Sequence, residues 1–166
     1  LFRSQGALLV MLNHGISTGA LFFLAGMIYE RRHTRLIADF GGIARVVPLF
    51  AAILTIVSLS SIALPGTNGF VGEFLVLLGS FRAYPIITAL ATTGVIVAAA
   101  YLLTALQRMI YKPLTHSENE QLTDLTAREL AVLIPLLACI VWVGVYPKPF
   151  LRRMEPALAP IRSARA

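Results

Sequence analysis

Four long runs without a charged side chain dominate this sequence. Residues 4–29 (apart from His14), 46–72, 83–107 and 130–147 contain no Asp, Glu, Lys or Arg. A helix that crosses the hydrocarbon core of a bilayer needs about 20 mostly apolar residues, with a range of about 17–25. Three of the runs exceed that length and the fourth fits it. A soluble helical core can hide one such run, but four within 166 residues leave too little chain to cover them with a polar surface. Composition agrees: 57% of the residues are hydrophobic and 13% charged, against about a quarter charged in soluble proteins. The expected fold is therefore all-α, a polytopic membrane helix bundle of four transmembrane helices at about 5–29, 46–81, 83–108 and 127–147. Residues 1–150 would form the bundle, and 151–166 a basic, proline-broken tail lying on the surface.

A formal charge of +6 raises nucleic acid as a partner, and the position of the charges argues against it. Arg31, Arg32, Arg35, Arg45, Arg108, Lys112, Lys148, Arg152 and Arg153 cluster at the ends of the apolar runs, where snorkelling side chains and the positive-inside bias put them. Counted by side, the cations tie, so charge does not orient the chain. The lone Cys139 lies inside the last span and reads as a small buried residue. Leu1 is not an initiator Met, and no basic region precedes the first span. The expectation is the C-terminal part of a longer membrane protein.

In the first span Gly15 and Gly19 form a GxxxG pattern. Small residues at that spacing let another helix approach closely, so this face is expected to pack inside the bundle. His14 falls near the middle of the run. Two readings stand: a packing histidine bonded to a nearby Ser or carbonyl, or a proton relay, since ionisable groups at that depth are costly and face polar cavities.

The second span carries the most information. Residues 46–81 hold a single acid, Glu73, and one straight helix over them would be about 54 Å long, against a core of about 30 Å. The segment LPGTNGFVGEF resolves the mismatch. Pro65 lacks an N–H, and Gly66, Gly69 and Gly72 tolerate non-helical torsions, which predicts two half-helices with a break around 65–69. Broken backbone in a membrane is tolerated where protein buries it or it lines a water-filled cavity, and transporters put ion sites there. Glu73 follows the break by about one turn. Desolvation opposes its charged form unless a cation compensates, and a carboxyl held between those influences can load and release a proton. The alternative is a carboxyl that only locks two helices together.

The third span, Ala- and Thr-rich with Tyr101, reads as a packing helix. Thr126 and Glu129 form a capping box at the head of the fourth, and Trp142 and Tyr146 near its end fit an interfacial aromatic belt. No metal-ligand cluster, phosphate loop or nucleophile–base pair appears, so no metal, cofactor or soluble small-molecule ligand is expected on this chain, and no nucleic acid.

The stretches NHGISTGALFFLAGMIYERRHTR, FGGIARVVPLFA and LPGTNGFVGEFLVLLGSF resemble the antiporter-like membrane subunits of proton-pumping NADH:quinone oxidoreductase, respiratory complex I. The likeness covers most of residues 5–115 and is greatest to the chain M type, called subunit 4 in mitochondria. It implies helices eleven to fourteen of a fourteen-helix fold, with the broken helix forming an outlet half-channel away from the cytoplasm or matrix. Glu73 sits where this family places the ionisable residue of the broken helix; related L and N chains and multi-subunit sodium/proton antiporters have Lys there, so the acid favours the M type. His14 matches the family's mid-membrane histidine. The resemblance further implies that the 30–45 and 108–128 loops face the cytoplasm or matrix, and that the family's upstream Glu and Lys residues lie before Leu1.

The expected function is thus the exit half of a proton path in a non-redox subunit of an oxidoreductase, with no catalytic centre in this chain. NADH, FMN, iron–sulfur clusters and quinone are expected in partner subunits, and the partners are the other membrane subunits of complex I and the lipid bilayer. The Arg-rich loop and Ala-rich spans favour a bacterial inner membrane over a mitochondrial one. The alternatives are a cation/proton antiporter subunit with the same fold and a purely structural scaffold.

Overall fold

The computed structural model describes the backbone of residues 2–163 and the side chains of 3–158. Helix α1, Phe2–Arg32, takes up the first apolar run. Its 31 residues extend about 46 Å at 1.5 Å per residue, so its ends overrun a hydrocarbon core. The second run becomes two helices of 14 residues, α2 at Pro48–Ser61 and α3 at Asn68–Phe81. Each is about 21 Å long, too short to cross alone. Helix α4, Pro85–Leu106, continues through a π-helical turn at Gln107–Tyr111, and α5, Ala127–Val145, follows the long loop. Pro48 and Pro85 open α2 and α4, positions where a missing N–H costs nothing. Thr126 and Glu129 close the capping box at the start of α5.

The tail departs from its expected form. Residues Lys148–Ser163 are a helix, α6, that begins before the expected boundary at 150 and packs on α1, with Leu158 buried. Pro149 sits in its first turn, where proline is tolerated, and Pro156 does not end it. Residues 164–166 of the expected tail lie outside the described ones.

Helices α1 and α3 run antiparallel in close contact. A Cβ on Gly79 would meet the Arg3 backbone at 2.8 Å, one on Gly72 the Val10 side chain at 2.8 Å, and one on Gly6 the Val76 backbone at 2.8 Å. Nothing lies within 4 Å of a Cβ built on Gly15 or Gly19. The GxxxG pattern therefore does not pack these helices. The close approach uses Gly6 at the start of α1 and the seven-residue spacing of Gly72 and Gly79, which puts both on one face of α3.

An apolar core fills the end of the bundle where the loops meet. Ala20, Leu24 and Ile28 of α1 repeat every four residues and pack with Val47, Phe50, Val57, Ile110, Leu133 and Ile140. In contrast, only 6% of the apolar window of α4 is buried, and Ile86, Ile87, Leu90, Ile96 and Val97 lie exposed. Such an apolar surface suits lipid or neighbouring membrane helices rather than water. With α1, α4 and α5 each long and apolar enough to cross a membrane, the chain is a multi-pass membrane protein.

Candidate functional site

The break between α2 and α3 occupies residues 62–67. Ala63 takes a left-handed conformation at φ 58°, and Gly66 one at φ 92°. For Ala63 that geometry costs about 1–2 kcal/mol, so the surroundings must hold it. The backbone largely satisfies itself: Ile62 N–H donates to Ser58 O, Ala63 N–H to Ser60 O, Leu64 N–H to Leu59 O and Thr67 N–H to Leu64 O. Pro65 and Gly66 thus lie in the break as the sequence predicted. Gly69 and Gly72 do not, because the helix has resumed at Asn68. Their lack of a side chain serves close packing instead; a Cβ on Gly69 would stand 2.3 Å from Ser60 O.

Two contacts pin the break. On one side Gly144 of α5 abuts it, where a Cβ would fall 2.4 Å from Gly66 O. On the other, four buried polar residues form a knot with α1. The Asn13 side-chain amide donates to Asn68 O, and the Asn68 amide returns a bond to Asn13 O at 3.3 Å. Ser60 Oγ donates to Asn68 Oδ1, and Ser17 Oγ lies 2.9 Å from Ser60 Oγ. Asn13 Oδ1, also buried, has no partner among the described residues. Buried polar groups are costly unless paired, so this knot fixes the height at which α1 meets the break.

A cavity of about 280 Å³ opens beside the knot, and both candidate ionisable residues line it. Glu73 of α3 is half-buried, and among the described residues its carboxyl has neither a hydrogen-bond partner nor a cation within ion-pair range. His14 of α1 is exposed, and its Nδ1 lies 3.2 Å from Thr18 Oγ1. Hydroxyls of Ser17, Thr18, Ser60, Ser61 and Tyr101 complete the polar lining. At about 30 Å³ per water, the space suits several waters joining these groups.

Sequence reasoning found Glu73, His14 and the break but missed the knot. Asn13 and Ser17, four residues apart in an uncharged run, and Ser60 and Asn68, flanking Pro65, were its signal. Tyr101 of α4 also lines this cavity.

A bundle with a helix interrupted inside the membrane, a buried polar knot at the interruption and an unpaired carboxyl beside it belongs to the antiporter-like class of membrane proteins. The family model described as NADH:quinone oxidoreductase/Mrp antiporter, TM, matches residues 2–99, and the chain belongs to that family. It is 42% identical over 154 residues to NADH-quinone oxidoreductase subunit M of Mycobacterium tuberculosis (strain CDC 1551 / Oshkosh), covering 93% of this chain and 28% of that protein. To NADH-ubiquinone oxidoreductase chain 4 of Arabidopsis thaliana it is 39% identical over 154 residues, covering 93% and 31%. Among solved structures it superposes with a TM-score of 0.86 and 38% identity on a chain of respiratory complex I from Thermus thermophilus with bound NADH, covering 92% of this chain and 32% of that one. The chain thus spans between 28% and 31% of the length of these curated relatives.

Proposed function

We propose that this chain forms part of a proton-translocating membrane subunit of NADH:quinone oxidoreductase and carries the outlet side of its proton path. The observation that supports this best is the single polar cavity at the helix break, which both Glu73 and His14 line. Glu73 takes up and gives back a proton at its carboxyl. Water and the hydroxyls around it pass the proton to or from His14, whose free imidazole nitrogen can accept one while Nδ1 is held toward Thr18. The knot fixes the register of α1 against α3, with both groups on the same cavity. Moving a proton against the membrane potential costs about 2.3 kcal/mol per 100 mV, so the drive comes from quinone reduction in partner subunits, which hold the NADH, FMN and iron–sulfur chemistry. The partners are the other membrane subunits of the complex, and the membrane is a bacterial inner membrane.

The matching family also contains ion-driven antiporters, which gives a second reading: a cation/proton antiporter subunit with the same site. One experiment separates them. Full-length chain carrying Glu73→Gln is assembled in its complex, checked by native gel, and assayed for NADH-driven proton uptake in inverted vesicles. Gln keeps the shape and cannot titrate. The expected result is at least a tenfold loss of pumping with assembly intact. Unchanged pumping makes Glu73 a packing carboxyl. Wild-type vesicles that respond to a sodium gradient and not to NADH favour the antiporter.

A further inference from the structure

A groove of about 950 Å³ lies between α4 and the residue 37–41 and 112–115 segments. Its chemistry is divided along the helix. Val97, Ala100, Tyr101, Thr104 and Ala105 line it along α4, a mostly apolar wall with two hydroxyl-bearing side chains, and Arg108 and Lys112 stand at its loop end. Those two cations are exposed and, among the described residues, neither pairs with an acid. No Asp or Glu lines the groove. The π-helical turn at Gln107–Tyr111 adds a residue to the last turn of α4 and carries Arg108 to its edge. The backbone of Pro113 closes the back, held tight because Gly41 leaves 3.2 Å between a would-be Cβ and Pro113 O.

We propose that this groove binds an anionic phospholipid, its phosphate between Arg108 and Lys112 and an acyl chain along the apolar wall of α4. Three features favour a lipid over a protein segment. The cations sit at the end of a membrane span, the height of a phosphate layer. The wall below them belongs to the least covered helix of the bundle. The charge is of one sign with no acid to answer it. Basic pockets at the loop side of membrane helices hold anionic headgroups in this way, with about a fivefold preference per cation near the surface. The two cations lie apart from the cavity at the break, which neither Arg108 nor Lys112 lines, although Tyr101 of α4 borders both spaces.

The test uses the full-length chain in its assembled complex, reconstituted with diazirine-bearing phosphatidylglycerol or phosphatidylcholine matched in acyl chains. Photolabelling is mapped by mass spectrometry, with α5 residues 132–145 as an internal reference. Phosphatidylglycerol should label residues 97–115 at least fivefold more than phosphatidylcholine, and Arg108→Gln with Lys112→Gln should bring the ratio near one. Arg108→Lys with Lys112→Arg should keep it, which separates charge from damage to the helix end. Equal labelling of the wild type by both lipids would mean ordinary boundary lipid and overturn the proposal. Absence of label from either lipid would mean that protein covers the groove, and would overturn it too.

Discussion

The C-terminal end of α1 and its middle use polar groups in opposite ways. At its C-terminal end Arg31 is fully engaged: its guanidinium meets Glu129 through two bonds of 2.7 Å, and also reaches Thr123 O at 2.8 Å, Asp124 O at 3.2 Å and Met27 O at 2.9 Å. Asp124 in turn accepts from Leu49 N–H at 2.8 Å and Phe50 N–H at 3.0 Å, so it caps the start of α2 from the far side of the loop. Asn119, fully buried, joins Arg32 Nε to Asp39 O. One end of α1 is thus riveted to α2 and α5 by charges with every bond used. Half-way along the same helix Asn13 Oδ1, and on α3 beside it the Glu73 carboxyl, have bonding capacity left over. Fully paired polar groups fix a structure; groups with bonds to spare can trade protons. The rigid end holds the frame within which the unfinished middle works.

Four substitutions test that division, in order of expected effect. Arg31→Ala leaves Glu129 and three carbonyls without their partner, and should cost about 1.5–3 kcal/mol, the range for hydrogen bonds to charged groups, since the pair is only part-buried. Thermal unfolding of the purified complex, or loss of the chain from membranes, reads it. A loss below about 1 kcal/mol would class the pair with exposed salt bridges and end the contrast. Gly144→Val drives a side chain into the Gly66–Thr67 backbone and should cost about 1–3 kcal/mol, with proton pumping falling in parallel because the break moves. Pumping retained at a lowered melting temperature would separate the break's position from its function. Asp124→Ala should cost about 1 kcal/mol, the usual effect of losing a helix cap, while Asp124→Asn, which keeps an acceptor, should cost less; both leave pumping unchanged in surviving complex. Gly19→Ala should shift stability by under about 0.5 kcal/mol, as at an open position. A larger loss would mean that another helix lies on that face.

What the sequence revealed follows from the range of each interaction. The spans were legible because bilayer thickness imposes a length that any chain must meet, and the break because Pro65 and Gly66 act on their own backbone. The capping box at Thr126 joins residues three apart and was legible for the same reason. Asp124 as the cap of α2 was hidden, since 75 residues separate it from Leu49. Gly15 and Gly19 do not face α3, since small residues permit a close approach without naming the partner, and α3 meets α1 nearer its start, at Gly6. In the tail, Pro156 and Pro160 suggested a broken segment, whereas a helix packed on α1 runs past both. Glu73 and His14 stood out as lone ionisable groups in apolar runs, but only the fold puts them on one cavity.

The interrupted helix has an electrical consequence. Each helix carries an aligned peptide dipole, equivalent to about half a positive charge at its start and half a negative charge at its end. An unbroken helix keeps both ends in the headgroup layers, where water screens them. Here the negative end of α2 and the positive end of α3 meet within the bilayer, six residues apart. Ser60 and Asn68 sit at those two ends and are bonded to each other, so side-chain dipoles answer the backbone ones. The Glu73 carboxyl therefore stands in a field laid down by the main chain, which no single side-chain substitution removes and which straightening of the helix would abolish.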